Sequence, residues 1–135
     1  MNGKKVETMP ILTSDDVVRV RQKVRSWAIE MGFNLIDQTK VVTAASELAR
    51  NTIDHGGGGE FRLEELNEGN RSGLRLTFED HGPGIEDVEL ALKDGYSTVG
   101  GLGLGLGGAK RLVNEFEIIS RPGKGTRVTV TRWKG

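Results

Sequence analysis

Apolar residues in the first half of the sequence recur at the spacing of two amphipathic helices. The first helix is predicted from Thr13, which with Asp16 resembles a capping box, to the helix-ending Gly32. The second is predicted from about Asp37, as N-cap, to Asp54. Their apolar faces comprise Val17, Val20, Val24, Trp27, Ala28 and Met31 in the first helix and Val41, Val42, Ala45, Leu48, Ala49 and Ile53 in the second.

Beyond the second helix the period of the pattern changes to two. Alternating apolar residues flank a turn-rich stretch from Asn67 to Gly73, which predicts an antiparallel hairpin with one buried face; they are Phe61, Leu63, Leu74, Leu76 and Phe78. One short helix is predicted near 88–92, another through Leu106, Ala109, Val113 and Phe116, and two strands over about 116–120 and 126–133. We predict an α/β fold, a two-layer sandwich with helices on one face of a mostly antiparallel mixed sheet, in one domain over residues 1–135.

Composition narrows the classes of function. The chain carries 19 basic and 19 acidic residues, and this zero net charge argues against nucleic acid or an anionic membrane as partner. The lack of cysteine excludes disulfides and thiolate metal sites. No apolar run has the length of a signal peptide or membrane span, so we expect a cytoplasmic protein. The 20 glycines are clustered between periodic segments, which indicates backbone brought close to a ligand.

Two polar residues have the strand parity of buried positions. Asp80 ends the hairpin in register with its apolar residues, and a carboxylate there can accept from an exocyclic amine such as that of adenine. A turn-forming aspartate beside Gly82 and Gly84 explains the spacing equally well. Thr126 also points inward at a strand start, where a β-former opening the strand is the simpler explanation.

A carboxylate and an amide lie one turn apart on the second helix. Glu47 and Asn51 share the side opposite the apolar face, so one could accept a proton while the other offers an oxygen to Mg²⁺. Pattern alone favours an ordinary solvated helix face.

The glycine tract 100–108 runs into a predicted helix. Bare amides at a helix start form a phosphate cradle. The tract also matches G-x-G-x-x-G, but no strand precedes it and no βαβ unit surrounds it, so the Rossmann interpretation fails.

Taken in order, these motifs resemble those of the GHKL (Bergerat-fold) ATPases. Residues 47–51 resemble the N box, 80–84 the first glycine box, 101–106 the second and 125–126 the last. Within that superfamily the chain is most similar to small serine kinases of bacterial partner-switching systems, on residues 46–51 and on the stretch from 94–98 through 110–112.

The resemblance implies a Bergerat fold and an ATP-dependent serine/threonine protein kinase that uses Mg²⁺. It assigns Glu47 as the general base, Asn51 as the Mg²⁺ ligand, Asp80 and Thr126 to adenine, Gly82 and Gly84 to the pocket wall, and Gly101, Gly103 and Gly105 to phosphates. The implied partners are a STAS-domain substrate and a PP2C-type phosphatase.

Two other functions are alternatives to a serine/threonine kinase: a histidine-kinase catalytic fragment and an anti-sigma factor. A histidine-kinase catalytic fragment would need a phosphoacceptor hairpin, whereas His55 and His81 both lie beside the predicted site. An anti-sigma factor that sequesters its target would have no need of the base Glu47. The sequence does not specify an oligomeric state.

Overall fold

A computed structural model describes residues 5–92 and 105–135. Its strands are β1 (Val6–Ile11), β2 (Gly59–Glu68), β3 (Arg71–Asp80), β4 (Glu115–Arg121) and β5 (Gly125–Trp133). Its helices are α1 (Ser14–Glu30), α2 (Leu35–Asp54), α3 (Val88–Ala91) and α4 (Leu106–Arg111). The two long helices, the hairpin, the short helix and the last two strands follow the predicted order.

The five strands form one sheet in the order β1-β2-β3-β5-β4. All four pairings among the described strands are antiparallel, so the predicted sheet is confirmed without a parallel pair in that part of the chain. The edge strand β1 was not predicted. It pairs with β2 from Val6 opposite Glu64 to Ile11 opposite Gly59, and its polar alternation and Pro10 give a weak strand signal.

The core lies between the helices and one face of the sheet, as predicted. The apolar faces of α1 and α2 pack on alternate residues of the hairpin and of β5. The helices contribute Val20, Val24, Val41 and Leu48, and the strands contribute Phe61, Leu63, Leu74, Leu76, Phe78 and Val130. The rings of Phe61 and Phe78, which face each other across β2 and β3, have centroids 4.9 Å apart.

The start of α2 differs from the prediction. Asn34 is the N-cap, and its side chain accepts from the backbone N–H of Asp37 at 2.8 Å. Asp37 is instead buried against Arg132 of β5, in an ion pair that ties the start of the helix to the sheet. Leu35 and Ile36 are exposed, which is why the apolar pattern did not reveal the first turn.

The helix α4 is shorter than predicted, because it ends at Arg111. Asn114 already donates its backbone N–H to the Thr131 carbonyl at 2.9 Å, and Phe116 belongs to β4. Among the described residues, no helix has both the length and the apolar character needed to span a membrane.

The predicted capping box of Thr13 and Asp16 at the start of α1 is confirmed, and it predicts how stability depends on pH. The Asp16 carboxylate accepts from the N–H of Leu12 at 2.8 Å and of Thr13 at 3.1 Å, and Arg19 also donates to it. The hydrogen bond from the Leu12 N–H is the largest effect and lowers the pKa of Asp16. Desolvation opposes it, while Thr13 and Arg19 lower the pKa further. Because folding lowers this pKa, the ionised carboxylate stabilises the fold at pH values above about 3.9, the pKa of an aspartate in an unfolded chain.

We therefore expect Asp16→Asn to destabilise the protein at neutral pH by an amount that shrinks as the pH falls below about 4. Urea unfolding of wild type and variant between pH 7 and pH 3 measures this difference. Asp15→Asn is the control, because the exposed Asp15 has the same charge in the same turn. A difference that stays constant down to pH 3 would contradict the assignment.

Candidate functional site

Asp80 and Thr126 face each other where β3 ends and β5 begins. Both are buried, with 7% and 8% of their surface exposed, on the side of the sheet that the helices cover. The strand parity predicted for both residues is therefore confirmed. A carboxylate and a hydroxyl lie together at the inner end of two paired strands.

The Asp80 carboxylate is held by backbone on two sides. Its Oδ1 accepts from the N–H of Gly82 at 2.9 Å. Its other side faces Gly56, where an added Cβ would lie 2.2 Å from Asp80 Cγ and 2.4 Å from Oδ2. The sequence showed Gly56 within a glycine cluster but did not reveal this contact.

Three contacts anchor the loop that follows Asp80. His55 Nε2 lies 3.0 Å from the Gly84 carbonyl oxygen and donates to it, because a carbonyl can only accept. The Gly123 N–H donates to Pro83 O at 2.6 Å, and the Ile85 N–H donates to Ser120 Oγ at 2.8 Å. The loop is thereby fixed to α2 on one side and to the β4–β5 hairpin on the other.

Gly84 itself lies against the hairpin. Its φ of +77° is in the region that favours glycine, and an added Cβ would lie 2.1 Å from the Arg121 carbonyl oxygen. Gly84 is recognisable in the sequence from its motif, whereas the sequence does not mark His55 and Ser120 as anchors, since each is about 30 residues away from its partner in the loop.

Glu47, on α2, lies beside the N-terminus of α4. Gly105 is the N-cap of that helix with φ +60°, and an added Cβ there would lie 2.2 Å from Glu47 Oε1. Glu47 is exposed, so its carboxylate is open to an incoming group. One turn further along α2, the backbone carbonyl of Asn51 accepts from the backbone N–H groups of His55 and Gly56 and so closes the last turn of the helix.

The described residues thus bring together Glu47 with Gly105, and Asp80 with Gly82 and Thr126. Gly101 and Gly103 lie outside the described residues. A cavity of about 230 Å³ borders Asp80, Ser120 and Thr126. Larger cavities are lined by other residues. Those of about 480 and 400 Å³ include Arg62 and Thr77 on the uncovered face of the sheet, and one of about 380 Å³ includes Trp27.

The arrangement offers two kinds of chemistry. At one end, a buried carboxylate and a buried hydroxyl border a cavity beside a loop that hydrogen bonds hold in place. At the other, an accessible carboxylate lies beside a helix start. No group of three or more potential metal-binding His, Cys, Asp or Glu side chains occurs in the described parts of the chain.

Residues 36–134 match the family model of the histidine kinase-, DNA gyrase B- and HSP90-like ATPases. The chain is 44% identical over 123 residues to the serine/threonine-protein kinase RsbT of Bacillus subtilis, covering 91% of this chain and 92% of that protein. It is 31% identical over 120 residues to an anti-sigma F factor of a Thermoanaerobacter species, covering 85% and 83% respectively.

A crystal structure of RsbU and RsbW domains from Mycobacterium tuberculosis has the same fold. It aligns with a TM-score of 0.64 at 24% sequence identity, over 99% of this chain. The chain spans 33% of the length of that structure. The likeness confirms the predicted two-layer architecture.

The contact between Gly56 and Asp80 makes a prediction about stability. Gly56→Ala would place a methyl group within the radius of the Asp80 carboxyl, and we expect it to destabilise the protein by about 1–3 kcal/mol. Gly108→Ala is the matched control, because Gly108 lies inside α4 with open space where its Cβ would be. That control should be neutral or stabilising by up to about 1 kcal/mol. Urea unfolding measures both; equal effects of the two substitutions would contradict the packing.

Proposed function

The chain belongs to the family of histidine kinase-, DNA gyrase B- and HSP90-like ATPases, and on that basis we propose that it is an ATP-dependent serine/threonine protein kinase of a bacterial partner-switching pathway. The observation that carries the proposal is the pair of buried acceptors, Asp80 and Thr126, at the end of β3 and β5. The 44% identity to a serine/threonine kinase supports the reaction class.

The adenine end of the site is assigned to Asp80 and Thr126. The Asp80 carboxylate accepts a hydrogen bond from the 6-amino group of ATP, and Thr126 assists through water. Gly82 and Gly84 shape the wall, since the loop lies so close to Gly56 and Arg121 that side chains would not fit. The amides of Gly101, Gly103 and Gly105 are proposed to hold the phosphates.

The transfer step is assigned to the other end of the site. Glu47 accepts the proton of the attacking serine or threonine hydroxyl. As the oxygen of that hydroxyl bonds to the γ-phosphorus, the bond between the γ-phosphorus and the departing ADP oxygen breaks. Asn51 is the proposed ligand of Mg²⁺, which takes few protein ligands and otherwise uses phosphates and water. When bound, Mg²⁺ supplies charge neutralisation on the phosphates.

The proposed substrate is a STAS-domain protein, with a PP2C-type phosphatase as a second partner. A second candidate function is supported by the relatives named anti-sigma F factors: capture of a sigma factor without obligatory phosphorylation. The exposed Glu47 beside Gly105 favours catalysis, because sequestration does not require a base. Incubation with γ-labelled ATP, STAS-domain proteins and sigma factors separates the two: label in a STAS protein supports the kinase, and stable sigma binding without label supports the alternative.

The adenine assignment predicts the behaviour of Asp80→Asn. The amide keeps the shape and the acceptor for Gly82 but presents a donor to the 6-amino group, so ATP affinity should fall about 10- to 100-fold while the fold is retained. Titration calorimetry with ATP measures the loss. Asp54→Asn, at an exposed position near the end of α2, is the charge-matched control and should bind normally. Near wild-type affinity in a folded Asp80→Asn protein would remove Asp80 from this role.

The base assignment predicts a separation of binding from transfer. Glu47→Gln should bind Mg-ATP as wild type does, and phosphorylation of the partner should slow by about 10²–10⁴-fold. Single-turnover assays with labelled ATP measure the rate.

Displacing the same carboxylate from its neighbour provides a second test. Gly105→Ala should slow transfer more than Gly69→Ala, because the two glycines have φ of +60° and +57° but only Gly105 abuts Glu47. Normal transfer by a folded Glu47→Gln protein would place the base elsewhere.

A further inference from the structure

Ser120 of β4 contacts both the adenine end of the site and the loop after Asp80. It lies directly opposite Thr126 in the β4–β5 pairing. Its Oγ is 2.7 Å from Thr126 Oγ1, 2.8 Å from the Ile85 nitrogen and 3.2 Å from the Gly125 carbonyl oxygen. One hydroxyl therefore contacts a donor, an acceptor and a second hydroxyl.

Counting protons fixes the direction of these bonds. A serine hydroxyl has one proton and two lone pairs. The Ile85 N–H occupies one lone pair, and the Gly125 carbonyl, which only accepts, takes the proton. The remaining lone pair faces Thr126, so Thr126 donates to Ser120. All three contacts are hydrogen bonds only in this arrangement.

The consequence appears at the adenine end of the site. Because Thr126 gives its proton to Ser120, it can only accept from the water through which it is proposed to act. Asp80 and Thr126 are then both acceptors. A 6-amino purine satisfies this arrangement, because its amino group donates to Asp80 and its N1 accepts the second proton of the water. A 6-oxo purine instead presents an acceptor to Asp80 and an N1–H donor to that proton.

We propose that Ser120 is a positioning residue that sets nucleotide selectivity by fixing the direction of the Thr126 hydrogen bond. The inference rests on the proposed ATP-binding function. Without the Ser120 oxygen, the Thr126 hydroxyl can donate its proton to the water instead, and the water is then free to accept the N1–H of a 6-oxo purine. Loss of the hydrogen bond to Ile85 alone would instead weaken the binding of all nucleotides equally, since that bond does not depend on which group the purine carries at position 6.

The test compares ATP with inosine triphosphate, which carries a 6-oxo group, by titration calorimetry with Mg²⁺. Wild type should prefer ATP, and Ser120→Ala should narrow the ratio of the two affinities about tenfold. Ser120→Thr restores the hydroxyl and should restore the ratio. Ser72→Ala is the control: its hydroxyl bonds Asn67 at 3.1 Å at the far end of the sheet, so the ratio should not change.

A double-mutant cycle keeps the proposal testable if Ser120→Ala is too unstable to titrate. Thr126→Val leaves the Ser120–Ile85 bond intact, and it should narrow the ratio as Ser120→Ala does, with no further narrowing in the double variant.

Three outcomes would overturn the proposal. An unchanged ratio of ATP to inosine triphosphate affinity in either single variant would overturn the role of Ser120, and so would additive effects in the double variant. In both cases a wild type that prefers ATP would still agree with the proposed function. Absence of ATP binding by the wild type would overturn both.

Discussion

The buried carboxylate of Asp80 is the constraint on which the site depends. An ionised group at the inner end of a strand is costly unless its oxygens find donors, and the Gly82 N–H satisfies Oδ1 within the protein. The opposite side of the carboxyl is left without a side chain by Gly56. The neighbouring residues therefore provide space and a hydrogen-bond donor around the carboxylate, and a donor from the proposed ligand completes the set.

The loop after Asp80 is fixed before any ligand arrives. Hydrogen bonds from His55, to Ser120 and from Gly123 join it to α2 and to the β4–β5 hairpin. A site whose groups are held in place by neighbouring contacts loses less conformational freedom on binding. The same contacts explain how one serine outside the family motifs can influence which base the pocket accepts.

Helix α2 connects the two ends of the proposed site. Glu47, Asn51 and His55 follow one another at intervals of four residues, so they share one side of the helix while the other side packs in the core. The ion pair between Asp37 and Arg132 fixes the start of this helix to β5, the strand that carries Thr126. The proposed general base and the proposed adenine-binding residues are thereby attached to one unit, which suits a transfer reaction that depends on positioning.

The sequence by itself determined the features that depend on local periodicity. The apolar faces of α1 and α2, the hairpin, and the inward parity of Asp80 and Thr126 all follow from spacings of about 3.6 and two, and the order of the motifs identified most of the candidate site. It did not reveal β1, whose pairing partners in β2 lie 48 to 58 residues away, or the start of α2, where exposed apolar residues conceal the cap. Gly56, His55 and Ser120 acquire their roles only when separated segments meet, across 29 residues for His55 and Gly84 and 35 for Ile85 and Ser120. Tertiary structure alone decides such contacts, because a hydrogen bond depends on the distance in space between two atoms, which periodicity along the chain does not encode.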